Sequence, residues 1–173
     1  MRVADKIASW LTEKGIRHAF GIIGAGNVAI FDALASAAKI KIIPCHHEQA
    51  AAMAATYYFR TSGTLAPVLV TTGAGSSNSL TGVLAAYMDS IPLLVIAGNE
   101  PLPFFGTPHS RVVGVQGYAS AALARPITKY AAQAQTPMDV MTILNQCYEE
   151  ALQPRQGPCW AEIPRNLQVA SCK

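Results

Sequence analysis

"IIPCHHEQAAAMAATYYFR", Ile42 to Arg60, is the stretch whose reading decides the fold. Its first residues are apolar and β-branched, with Pro44 near the end, where a strand tolerates a missing N–H. Two histidines, a glutamate and a glutamine follow. Next comes an alanine-rich segment without glycine or proline, which predicts a helix from about Glu48 to Arg60. A strand therefore passes straight into a helix, and a carboxylate stands at the junction.

The same alternation extends outward in both directions. Upstream, Ile7, Ala8 and Leu11 lie at helical spacing in Ala4 to Glu13, and Gly15 stops that helix. "HAFGII" reads as a short strand and "GAGN" as a turn, with Asn27 as cap of a helix running to about Ala38. Downstream, "APVLVTT" is a third strand, "GAGSSN" a second small-residue turn, and a helix runs through about Met88. "IPLLVIAG" is a fourth strand, followed by a long loop from Asn99 to about Gln116. "ITKYAAQA" holds a short strand. "TPMDVMTILNQCYEEAL" is a helix with Thr136 as cap and Pro137 in its first turn, and "GPCWAEIP" is the last strand. Apolar strands alternating with helices predict a mostly parallel sheet covered on both faces, a three-layer αβα sandwich. One domain spanning 1–173 is expected. Ligands of such sheets bind beyond the carboxyl ends of the strands. The turns "GAGN", "HHEQ" and "GAGSSN" are all at such ends and should converge in space.

Composition narrows the function classes. The chain is 51% hydrophobic and 13% charged, which argues for a large core and a surface partly covered by a partner. A net charge of +3, with scattered lysines and arginines, does not suggest a nucleic-acid partner. No apolar run reaches the roughly 18 residues of a membrane span, and the charged N-terminus is not a signal peptide. Cys45, Cys147, Cys159 and Cys172 lack metal-ligand or redox-motif spacing. Cys45 and Cys159 follow prolines in apolar surroundings, as buried thiols do. A reduced, cytoplasmic protein is expected.

Glu48 admits two readings from spacing alone. An acid in the first turn of a helix complements the helix dipole. A carboxylate among small apolar residues also needs something to bind. His46 and His47 are adjacent and cannot both point the same way, while His18 and His109 sit in no motif, so no metal site is expected. One of the adjacent pair should line the cleft. "TTGAGSSN" lacks the third glycine of a dinucleotide fingerprint and the Lys-Ser/Thr pair of a P-loop. It suits a turn against which another backbone or a flat ligand packs, and "FGIIGAGN" follows the same logic. No nucleophile elbow and no paired carboxylates stand out.

Taken in order, the motifs resemble the pyrimidine-binding (PYR) domain of thiamine-diphosphate-dependent enzymes. The likeness is to acetohydroxyacid synthase, glyoxylate carboligase, sulfoacetaldehyde acetyltransferase and related 2-oxoacid decarboxylases. "GIRHAFGIIGAGN" looks like the family's opening strand and glycine turn, and "HHEQAAAMAATYYFRTSG" like its glutamate motif. "VLVTTGAGSSNSLTGVLAAYMDSIPLLVIAG", "QGYASAALARPITKY" and "GPCWAEIPRNLQ" are similar to the following segments, so the resemblance covers nearly the whole chain. It implies that Glu48 hydrogen-bonds a ring nitrogen of the cofactor's aminopyrimidine and favours the imino tautomer, which takes the proton from the thiazolium carbon. The ylid so formed attacks a 2-oxoacid. By the same carry-over Gly24, Ala25 and Gly26 flank the cofactor's reacting end. Thr72, Gly73 and Asn78 lie near the pyrimidine, and His47 and Gln116 lie on the substrate side.

There are departures. Ile23 and Ala74 stand where the family often has proline, Gly117 where the synthases carry an acid, and His47 where they carry arginine. These weaken a specific likeness to acetohydroxyacid synthase. The chain also lacks the Gly-Asp-Gly…Asn motif with which the family's PP domain binds magnesium and the diphosphate. The resemblance therefore implies a separate PP subunit holding Mg2+, as in the two-subunit sulfopyruvate decarboxylases, in an α2β2 or larger assembly. Met1 and the short polar tail favour a complete subunit. A non-catalytic PYR domain that binds or regulates a partner and a fragment of a longer enzyme are the other readings.

Overall fold

The computed structural model describes residues 1–105 and 111–171. His109 and Cys172 lie outside the described residues, as does part of the loop expected between Asn99 and Gln116. Among the described residues six strands form one sheet: β1 (His18–Gly21), β2 (Lys41–Pro44), β3 (Pro67–Val70), β4 (Leu93–Asn99), β5 (Tyr130–Gln133) and β6 (Pro158–Pro164). Their order is β2-β1-β3-β4-β6-β5, and every pairing among them is parallel. The helices are α1 (Val3–Glu13), α2 (Val28–Ala37), α3 (Glu48–Ser62), α4 (Ala74–Ser77), α5 (Leu80–Met88), α6 (Ser120–Ala124), α7 (Pro137–Leu152) and α8 (Arg165–Gln168).

The central strands are buried on both faces, which is why they read as continuous apolar runs. Their alternate residues separate cleanly. Leu69, Leu94, Ile96, Ala161 and Ile163 pack with Ile7 and Leu11 of α1, Leu34 of α2 and Leu144 of α7. Val68, Val70, Val95, Ala97 and Trp160 pack with Ala51, Ala52 and Ala55 of α3 and Val83 and Ala86 of α5. This is the three-layer sandwich that the alternation predicts. The short strands β2 and β5 form the edges, and Pro44 closes the β2 edge.

Alanine content sets how closely α3 approaches its neighbours. Ala51, Ala52 and Ala55 are essentially inaccessible to solvent. A Cβ placed on Gly82 of α5 would stand 2.5 Å from the Ala52 Cβ, so the two helices touch through their smallest residues. Helix α7 begins as expected: Thr136 Oγ1 accepts from the Asp139 N–H at 3.3 Å, and Asp139 accepts from the Thr136 N–H at 2.8 Å. The backbone N–H groups of Thr136 and Gln135 both donate to the Asp139 carboxylate and hold it below its ordinary range. Its contribution to the cap is therefore present above the ordinary carboxylate pKa and fades as pH falls through the lowered value.

The structure corrects three expectations. "GAGSSN" is not an open turn: Ala74–Ser77 folds as one helical turn, with the Ser76 hydroxyl donating to the Gly73 carbonyl at 2.9 Å and that of Ser77 to Ala74 at 3.3 Å. Asn27 stands at the cap position of α2, but its side chain does not cap. It turns back into the preceding turn, accepting from the Gly24 N–H at 2.8 Å and donating to the Ile22 carbonyl at 3.1 Å. Cys45 is only half-buried, whereas Cys147 and Cys159 are fully buried. Burial pushes the Cys159 thiol up to about 12. Helices α6 and α8 lie where no element was anticipated.

Replacing Ala52 by leucine inserts three carbons into the α3–α5 contact. The expected cost is about 1–3 kcal/mol, read as a lower midpoint in urea unfolding. An unchanged midpoint would contradict the close approach of the two helices.

Candidate functional site

The chain runs from β1 outward to β2, then returns past β1 to β3. The strand order reverses between β1 and β3, and an open parallel sheet leaves a crevice at such a point. The segments after β1, β2 and β3 carry "GAGN", "HHEQ" and "TTGAGSSN", and the structure brings all three together.

Glu48 opens α3. It is 7% exposed, a low value for an acid. Asn78 Nδ2 donates to Glu48 Oε2 at 3.0 Å. Among the described residues Oε1 has no hydrogen-bond partner, and no ion pair involves Glu48. The helix N-terminus favours the negative charge by roughly 0.3–1 kcal/mol. Glycine at 75 keeps room beside the free oxygen, because a Cβ there would stand 3.3 Å from Oε1. Thus the acid is oriented by one amide and retains one oxygen for a ligand. His47 is the N-cap of α3, its Nδ1 accepting from the Gln49 N–H at 3.2 Å. His46 and His47 are both exposed. Among the described residues no group of three His, Cys, Asp or Glu side chains is placed to hold a metal ion.

The glycine turn after β1 is fixed from three sides. The Gly26 N–H donates to Thr71 Oγ1 at 3.0 Å, and the Gly24 N–H to Asn27 Oδ1. Gln168 of α8 donates through Nε2 to the Gly26 carbonyl at 2.7 Å and to the Ile163 carbonyl at 2.7 Å. At the end of β4, a Cβ on Gly98 would sit 2.0 Å from the Gly26 oxygen, so β4 and the turn touch backbone to backbone. A Cβ on Gly26 would meet Thr72 Oγ1 at 2.1 Å. Thr72 is buried, Ala25 and Gln116 are exposed, and Gly24 is half-buried. Gly73 has φ +68 and ψ −131, a conformation open to glycine, and a Cβ there would meet the Gln116 carbonyl at 2.8 Å. Gln116 is thereby seated beside Gly73. All nine residues singled out from the sequence lie on the three segments or on this neighbouring one.

Small residues let the three backbone segments pack closely around one acid. The resident chemistry fits an aminopyrimidine, a planar heterocycle whose ring nitrogen and exocyclic amine pair with a carboxylate oxygen and backbone groups. Beside it, a groove of about 460 Å3 runs along Gly73, Gln116, Val112, Val115 and Leu123. Tyr118 lines it too, its Oη 2.9 Å from Ser76 Oγ, and burial pushes that phenol above its ordinary range.

Sequence reasoning missed Glu162, Asn99 and Gln168. Glu162 is 1% exposed, and Asn99 and Gln168 are equally hidden. For Glu162 a signal was present: one acid inside the apolar strand "PCWAEIP" needs buried donors. Asn99 and Gln168 end a strand and a short helix, where polar residues are ordinary.

Gly98→Ala is expected to drive the Gly26 carbonyl off its seat. About 1–3 kcal/mol of stability should be lost, with amide shifts concentrated at Gly24–Asn27. Native stability with an unshifted turn would contradict the backbone contact.

Comparison with known proteins agrees with this geometry. Residues 1–120 match the family described as "Thiamine pyrophosphate enzyme, N-terminal TPP binding domain". The chain is 33% identical over 167 residues to the acetolactate synthase large subunit of Buchnera aphidicola subsp. Acyrthosiphon pisum, covering 95% of the chain and 28% of that protein. It is 33% identical over 171 residues to the isozyme 2 large subunit of acetolactate synthase from Escherichia coli, covering 99% of the chain and 30% of the relative. The large subunit from Lactococcus lactis subsp. lactis is 33% identical over 163 residues. The chain thus spans less than a third of the length of the curated relatives it matches. With the sheet, the glycine turns and the buried glutamate in place, the chain belongs to the thiamine pyrophosphate enzyme family, through that family's N-terminal TPP-binding domain.

Proposed function

We propose that this chain supplies the pyrimidine-binding half of an active site that decarboxylates a 2-oxoacid, ligates the resulting carbanion to an acceptor, or does both. The observation that carries the reading is the buried Glu48 carboxylate at the sheet's switch point, one oxygen held by Asn78 and the other without a partner among the described residues. In this reading Glu48 holds a proton at a ring nitrogen of the aminopyrimidine, and Asn78 orients the carboxylate. The turn Gly24, Ala25 and Gly26 and the backbone of Thr72 and Gly73 form the walls of the proposed slot for the ring. His47 and Gln116 stand at its mouth on the substrate side. When bound, thiamine diphosphate supplies an electron sink for the carbanion left by loss of carbon dioxide.

In this reading the diphosphate and Mg2+ belong to a PP-type unit bearing a Gly-Asp-Gly…Asn motif, carried by a separate subunit in an α2β2 or larger assembly. Apolar side chains around the mouth support a covering partner: Ile23 is 57% exposed, Val112 58% and Val115 88%. The free thiols Cys45, Cys147 and Cys159 support a reducing, cytoplasmic setting. Coverage of less than a third of the relatives favours a second reading, in which the same half-site is the first domain of a longer enzyme.

Glu48→Gln tests the assignment in the assembled enzyme. The expected result is a fall in kcat of about 10²–10⁴-fold, with assembly and melting unchanged. Near-normal turnover would remove Glu48 from the mechanism. The chain alone should bind thiamine diphosphate only weakly, and tight magnesium-dependent binding by it would refute the half-site.

A further inference from the structure

Glu162 has no part in the chemistry assigned to Glu48, yet among the described residues its carboxylate accepts hydrogen bonds from four different residues, more than any other acid. Oε1 accepts from Asn99 Nδ2 at 2.5 Å and from Gln133 Nε2 at 2.7 Å. Oε2 accepts from Ser120 Oγ at 2.8 Å and from the Ala121 N–H at 2.6 Å. Four donors fill the lone-pair sites of a carboxylate. They come from the end of β4, from β5 and from the first turn of α6. Among the described residues no ion pair involves Glu162, so these donors alone compensate its burial.

The network leads toward the site. Asn99 Nδ2 also donates to the Tyr118 carbonyl at 2.7 Å. Ser120 Oγ accepts from the buried Trp160 indole at 3.2 Å. Tyr118 Oη meets Ser76 Oγ, which donates to the Gly73 carbonyl. Between these anchors the chain closes a tight loop, Val113 and Gly117 exchanging both backbone hydrogen bonds at 2.8 Å. Gln116 sits in that loop, its carbonyl against Gly73. Gln116 is itself exposed and among the described residues has no side-chain bond to hold it. Its place is set by the residues that flank it.

We propose that Glu162 is a positioning residue: through Asn99 and the first turn of α6 it holds the 113–124 segment, and so places Gln116 at the mouth of the slot. Glu162 touches neither cofactor nor substrate. The proposal rests on the substrate-side role given above to Gln116, and its test separates the two.

The test uses Glu162→Gln and the milder Ser120→Ala, which removes one donor and keeps the acid. The first readout is amide hydrogen exchange of the whole chain. Exchange in 113–124 should accelerate about tenfold or more, while the first turns of α3 keep their protection. The second is steady-state kinetics of the assembled enzyme: KM for the 2-oxoacid should rise about tenfold with kcat within about twofold, and Glu162→Asp should restore part of the loss. Unchanged exchange in both variants overturns the proposal. So does uniform acceleration over the chain with kcat and KM moving together, which marks a plain core residue. If wild-type assemblies turn over no 2-oxoacid, the proposed function fails, and the exchange pattern alone decides whether Glu162 holds the segment.

Discussion

The hydrogen bond from Asn78 to Glu48 spans 3.0 Å and joins the first turn of α3 to the segment that leaves β3. Much of the surrounding architecture serves to bring those two points together with an acid between them. A carboxylate withdrawn from water needs compensation, and here it comes from the helix N-terminus and one amide. The second oxygen has no hydrogen-bond partner among the described residues, which is consistent with an acid placed to receive a ligand.

Small residues make the arrangement possible. Ala51, Ala52 and Ala55 let α3 settle onto the sheet, and Gly82 lets α5 settle onto α3. Gly98 lets β4 touch the Gly26 backbone, and Gly73 lets the Gln116 carbonyl come close. The approaches at Gly82, Gly98 and Gly73 are backbone against backbone or methyl against backbone, so they tie the site closely to the sheet and its helices. Preorganised groups of this kind act without reorganising when a ligand arrives. Glu162 works the same way one layer back, with donors in place of small residues.

Much of the fold was legible in the sequence because its signals are local. The alternation of strands and helices, the cap at Thr136 and the apolar runs of β3, β4 and β6 all depend on near neighbours. Glu48 was legible because a lone acid at a strand-to-helix junction is conspicuous. What escaped was non-local. Helix α6 is capped by an acid 41 residues further along, which no window of sequence contains. Asn27 looked like a helix cap because its position is right, but two backbone groups of the preceding turn compete for its side chain and win. Ser76 and Ser77 looked like turn residues, and their hydroxyls instead close a helical turn behind Gly73.

The most direct measurement is a titration of the chain alone with thiamine, followed by amide chemical shifts at millimolar ligand. Thiamine carries the aminopyrimidine without the diphosphate, so it needs only the half of the site present here. The account predicts weak binding with shifts confined to Gly24–Gly26, Glu48 and Gly73–Asn78, and their loss in Glu48→Gln. Shifts elsewhere, or shifts that persist without the carboxylate, would contradict it.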